Sequence, residues 1–347
     1  MLVGLRSHTA ISRPIPSRAI PSSSGGVVGE AIRDVELPSR AIPSSSGGVL
    51  ERGEDFPHRD GYEPGFLGLE LSLPKLSPEQ QKQAAPLLSD PSQTELKYTH
   101  FSIVMSRMRR LPFLTAVNID GANLKSVARK DRWVLDNRLA KYHQLGGEAY
   151  SGNDLDRGHM VRRLDPVWGE NAVQADADTF AYTNAALQHK DLNRKEWAAL
   201  EEHILTHART TEQKMSVFTG PVFNPDDPVF DNGGKVHPST QIPQQFWKVA
   251  VWNNPTEGLQ GAGFVLSQEE LIDRADHRDG KFDPGRFEVY QVPIRELEEM
   301  TGIDFGPVAD TTRRGRKLKT AEDVELGMAA LETPIELPER ELIKVEQ

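Results

Sequence analysis

Six short runs rich in apolar, β-branched and aromatic residues, each bounded by turn-forming or polar residues, predict strands. They are His100 to Ser106, Phe113 to Asp120, Ser216 to Phe223, Phe246 to Asn253, Gly261 to Ser267 and Phe287 to Pro293. Helical spacing of apolar positions is confined to Leu192 to about Thr210 and Ile294 to about Thr301, the second closed by Gly302. A shorter helix is predicted from Ser77 to about Leu87, with Ser77 as N-cap and Glu79 and Gln80 in its first turn. Strands outnumber helices and do not alternate with them as βαβ units. The pattern therefore predicts an α+β fold, a mainly antiparallel β-sheet core with flanking helices.

That pattern occupies only part of the chain. Residues 1–55 hold an internal duplication, SRAIPSSSGGV at Ser17 to Val27 and again at Ser39 to Val49. Such Pro, Ser and Gly content cannot bury a core, so this segment reads as a disordered arm. Residues 56–97 read as an extended arm and a short helix laid on a domain formed by residues 98–310. Residues 311–347 form a tail that is basic at Thr312 to Lys319 and acidic afterwards.

Composition narrows the chemistry. With 37% hydrophobic residues and no apolar run long enough to span a bilayer, no membrane partner is expected, and a cytoplasmic location is the default. The absence of cysteine removes disulfides, thiolate zinc sites and cysteine nucleophiles together. A formal charge of −10 argues against a polyanionic partner until its distribution is considered. From Ala321 to Gln347 there are eight acidic residues against two basic ones, whereas Arg107, Arg109, Arg110, Arg157, Arg162 and Arg163 gather mid-chain. The local field governs what a cleft binds.

The densest chemistry lies in NDLDRGHMVRRLDPVWG, Asn153 to Gly169. Hydrolysis of a phosphodiester needs a base for water, a cation for the phosphate charge and a proton source for the leaving oxygen. His159 is a candidate base because imidazole is the side chain best poised near neutrality. Gly158 permits a tight backbone path, and Arg157 offers a planar fork to phosphate. A surface turn with an ion pair accounts for Asp-Arg-Gly-His equally well on its own. Further along, Asn193, Trp197, Leu200, Glu201 and Ile204 share one helical face. Polar groups in an apolar stripe need partners, and a hydrated hard cation such as Mg²⁺ would satisfy both Asn193 and Glu201. Those two residues lie two turns apart, about 12 Å between α-carbons, so one would ligate directly and the other through water. The alternative is that Asn193 caps the helix and Glu201 pairs with a surface lysine. His203 and His207 lack the HExxH pattern, GGK at Gly233 to Lys235 lacks the Walker pattern, and Trp247 and Trp252 read as core.

Asp156 to His159, followed by Asn184, Gln188, Asn193, Trp197, Leu200 and Glu201, resembles the DNA/RNA non-specific endonuclease family. The likeness extends through Thr219 to Phe223, Ile242 to Val249 and Leu297 to Phe305, spanning roughly Tyr98 to Val308. It implies a ββα-metal (His-Me finger) active site that cuts DNA, RNA or both to 5′-phosphate ends. On the matching positions it implies His159 as general base, Asn193 as the direct Mg²⁺ ligand, with Mn²⁺ as a substitute, and Glu201 ordering a water on the metal. Arg157 would help place the phosphate, Asp156 would sit in the metal's outer sphere, and Asn184 and Gln188 would support the site. An upstream arginine would stabilise the crowded phosphate; Arg129 matches best, with Arg132 a close rival. Leu155 stands where the family has tyrosine. The resemblance also implies a possible homodimer.

Overall fold

The computed structural model describes residues 53–194, 196–268, 288–311 and 316–318. The duplicated arm, apart from its last three residues, and most of the basic and acidic tail lie outside them. An eight-stranded sheet forms the centre. Its strands are β2 (Glu95–Tyr98), β3 (Phe101–Met105), β4 (Pro112–Asp120), β8 (Lys214–Val222), β11 (Gln245–Asn254), β12 (Gly258–Ser267), β13 (Glu288–Val292) and β14 (Arg316–Leu318). They lie in the spatial order β14-β13-β12-β11-β8-β4-β3-β2. Every neighbouring pair is antiparallel. With its helices this is the expected α+β architecture. Outside it, β1 (Gly53–Glu54) pairs in parallel with β5 (Leu135–Asp136), whereas β6 (Leu155–His159) with β7 (Ala185–His189) and β9 (Val229–Phe230) with β10 (Thr240–Gln241) are antiparallel pairs.

Both faces of the sheet are covered, which is why its central strands are buried along almost their whole length. Along β11, Phe246, Ala250 and Trp252 enter one core, while Trp247, Val249 and Val251 enter the other. This is the period of two made physical. The first core receives Trp197, Leu200, Ile204, Leu205 and Ala208 from α4 (Glu196–Thr210), together with the β6–β7 hairpin. The second receives Tyr62, Phe66, Leu67 and Leu71 from the arm, and Ile294 and Leu297 from the last helix (Ile294–Thr301). Residues 56–97 thus supply core side chains to the same body. Trp247 and Trp252 are core, as their alternation implied.

Helix boundaries moved for local reasons. The helix beginning after Ser77 has a full capping box with Gln80 but runs only from Pro78 to Gln83. Ala85 precedes Pro86, and the residue before a proline is disfavoured in the α region. The helix expected from Leu192 begins at Lys190, with helical residues at Lys190–Arg194 (α3) and Glu196–Thr210 (α4) and residue 195 outside the described residues. The last helix ends at Gly302, whose φ of 69° is left-handed.

Candidate active site

A hairpin running straight into helices builds the site. β6 carries Asp156, Arg157 and His159, β7 returns antiparallel beside it, and α3 starts at the next residue and carries Asn193. This is a β-β-α unit in which the backbone register, with Asp156 opposite Gln188 and His159 opposite Ala185, sets the spacing of the functional groups. Gly158 is required there: a Cβ at that position would lie 1.9 Å from Gln188 Oε1 and 2.5 Å from its Cγ. Asn184 acts as a brace. Its amide nitrogen donates to Val161 O (2.9 Å) and Thr179 O (3.1 Å), and its Oδ1 accepts from Val161 N at 2.8 Å. Asn184 and Gln188 are fully buried and stand behind the cleft, outside its lining.

The cleft has a volume of about 750 Å³ and is lined by Arg129, Asp156, Arg157, His159, Asn193 and Glu201, all six anticipated there. Arg162, Arg163 and Arg194 add charge, and Trp133 and Tyr182 add aromatic wall. Arg129 enters the lining and pairs with Asp131 at 2.6 Å. Arg132 instead pairs with Glu54 at 3.1 Å and is absent from the lining.

His159 packs against Trp133 and Phe180, with ring centroids 4.9 and 5.4 Å away. Among the described residues its buried Nε2 has no hydrogen-bond partner. Burial first, then the positive charge of Arg129, push its pKa down to about 3, with Asp131 opposing and Arg163 adding to the fall. The imidazole is therefore neutral at physiological pH and able to accept a proton. The Arg157 guanidinium sits 5.6 to 5.7 Å from the ring centroids of Trp133, Tyr150 and Tyr182. Among the described residues it is the cleft arginine without a carboxylate partner. Arg163 is held by Asp176 at 2.5 Å, and Arg162 by Glu202 and by the Glu201 carbonyl at 2.9 Å.

Glu201 is buried, and burial raises its pKa against the pull of Lys248 and Arg162. Lys248 reaches it from β11, with Nζ 3.4 Å from Oε1, 3.0 Å from Thr219 Oγ1 and 4.7 Å from the Trp197 ring centroid. The lysine partner considered for Glu201 exists, but it is 1% exposed and comes from the sheet. Beside this group Asp165, also buried, has its pKa raised to about 7, mainly by desolvation. Neither Lys248 nor Asp165 was singled out by sequence; a lysine inside an otherwise apolar strand was the available signal. Among the described residues, the spacing of His203 and His207 gathers no metal cluster.

The donor chemistry suits a hard cation. Asp156 Oδ2 accepts from Asn193 Nδ2 at 3.0 Å, so the amide oxygen is the Asn193 atom able to ligate a cation. Among the described residues no cluster of three or more His, Cys, Asp or Glu side chains could hold a metal by itself. One oxygen ligand, with carboxylates positioned to meet water, fits Mg²⁺, which keeps most of its hydration shell. No helix among the described residues is long and apolar enough to cross a membrane.

Residues 83–312 match the family model described as DNA/RNA non-specific endonuclease. Uncharacterized protein y4fB of Sinorhizobium fredii is 35% identical over 295 residues, 78% of this chain and 43% of that protein. Mitochondrial endonuclease G of Bos taurus is 29% identical over 50% of this chain and 54% of its own length. A nuclease of Nostoc sp. is 28% identical over 55% of this chain and 65% of its own. The chain thus spans between 43% and 65% of these relatives. A solved complex of EndoG with EndoGI superposes with a TM-score of 0.46 at 20% identity, covering 68% of this chain and 91% of that one.

Proposed function

The chain belongs to the DNA/RNA non-specific endonuclease family, and from that premise we propose that it hydrolyses phosphodiester bonds of DNA, RNA or both in the arginine-lined cleft. The observation that carries this reading is the neutral His159, its buried Nε2 unpartnered among the described residues, in a cleft lined by five arginines. A water held beside His159 gives its proton to the imidazole as it attacks phosphorus. Arg157, oriented by three rings rather than tied to a carboxylate, meets the nonbridging oxygens, and Arg129 adds a second positive group. Asn193 would hold Mg²⁺ through its amide oxygen, oriented by Asp156, and Glu201 would accept from its water. When bound, the ion supplies positive charge to the phosphate and acidity to the water that protonates the departing 3′ oxygen. The products would carry 5′-phosphate ends. Because these groups address the backbone and not base edges, cutting should tolerate any sequence.

Supercoiled plasmid and total RNA, incubated with the purified protein in Mg²⁺ or EDTA, test this directly. Degradation in Mg²⁺ is expected for the wild type and not for His159→Ala. Intact substrates after incubation with wild-type protein and Mg²⁺ would refute the proposal.

A further inference from the structure

Asp156 is claimed from two sides. Arg194 makes a two-pronged contact, with Nε 2.9 Å from Oδ2 and Nη2 2.8 Å from Oδ1, while Asn193 donates to Oδ2 at 3.0 Å. Both carboxylate oxygens are thus engaged by a guanidinium beside the residue assigned to the metal. A divalent cation held by Asn193 would compete with that guanidinium for the same negative charge, and the two positive groups would repel.

The pair is also suited to opening. Arg194 is 66% exposed and Asp156 21%, whereas the neighbouring Arg163–Asp176 pair stands at 19% and 4%. An ion pair in contact with water contributes little, because solvent replaces what it loses on separation. A guanidinium freed at the cleft wall has a natural partner in phosphate, which matches its planar fork as well as a carboxylate does.

We propose that Arg194 is a substrate-binding residue for a nucleic-acid phosphate adjoining the reacting one, paired with Asp156 and released when a divalent cation draws on Asp156. The proposal rests on the nuclease reading. It makes cation and substrate binding cooperative, because the cation frees a ligand for the substrate.

Two binding measurements test it, both made in the His159→Ala background so that DNA stays whole. Titration calorimetry with Mn²⁺ alone compares Arg194 with Arg194→Gln. Fluorescence anisotropy of a labelled DNA duplex, in EDTA and in Mg²⁺, compares the same pair together with Asp156→Asn and the double variant. Removing the competing guanidinium should tighten Mn²⁺ binding by about fivefold or more. The same substitution should weaken DNA binding by roughly tenfold in Mg²⁺, with a salt slope shallower by about one, and leave it unchanged in EDTA. In EDTA, Asp156→Asn should strengthen DNA binding, and the gain should vanish in the double variant. Weaker Mn²⁺ binding in Arg194→Gln, or an equal loss of DNA affinity with and without Mg²⁺, would overturn the proposal. Cleavage by the unmodified protein separates the two levels: if it cuts with Mg²⁺ and Arg194→Gln changes neither affinity, only this inference falls. If it neither binds nor cuts nucleic acid, both fall.

Discussion

Lys248→Met removes the cation that Glu201 faces inside the first core. At the observed 3.4 Å, and with an effective dielectric of about 20, the lost attraction is roughly 5 kcal/mol before the changed solvation of either group is counted. Breaking a buried pair by deleting one partner typically costs about 3–5 kcal/mol, because the survivor stays desolvated. Glu201 can limit that loss by taking up a proton, since burial already raises its pKa. The destabilisation should therefore be greatest above neutral pH and shrink as pH falls toward 5, where protonation is cheap. Urea unfolding at pH 8 and pH 5 measures this. Adding Glu201→Gln to Lys248→Met should recover most of the stability, as a neutral amide has no charge to strand. A loss below about 1 kcal/mol at pH 8, or no recovery in the double variant, would refute the view that Lys248 keeps Glu201 charged beneath the cleft.

Three further outcomes are expected. Arg129→Ala should lower kcat/KM by about 100-fold or more, while Arg132→Ala, whose guanidinium pairs with Glu54 away from the cleft, should change it little; the reverse ranking would reassign the arginine. Gly158→Ala should cost about 1–3 kcal/mol by overpacking, and Gln188→Ala should relieve it, because the clash is with the Gln188 side chain; thermal unfolding of the single and double variants decides. A histidine held near pKa 3 stays deprotonated as pH falls through the ordinary value of 6.5. NMR titration of the His159 ring in metal-free protein should accordingly show no midpoint near 6.5, and one there would contradict the burial and arginine effects.

The sheet was legible because its strands obey one local rule: β4, β8, β11 and β12 place apolar side chains on both faces, and their composition announces it. The β6–β7 hairpin obeyed no such rule. Leu155–His159 is dense in polar residues because the cleft needs them, so function overrides the pattern that would mark a strand. Its place was readable only through the resemblance of Asp156 to His159 to a known motif. Residues Glu95–Tyr98 and the helix Ala172–Asp178 were too short and too polar to stand out. The choice between Arg129 and Arg132 depended on where the chain turns, and Glu201 meets Lys248 across 47 residues of sequence. Tertiary pairing of that kind leaves no local trace.

The position of Lys248 has a consequence for how such a protein is made. The hairpin, α3 and α4 are complete by Thr210, yet the cation beneath Glu201 arrives only with β11, after the chain has turned through β8. A chain that cut RNA would be synthesised on its own substrate. If cleavage depends on the Glu201–Lys248 pair, the growing polypeptide carries an unfinished site for as long as β11 remains inside the ribosome. The order of elements along the chain would then act as a timer, delaying activity until the sheet has closed.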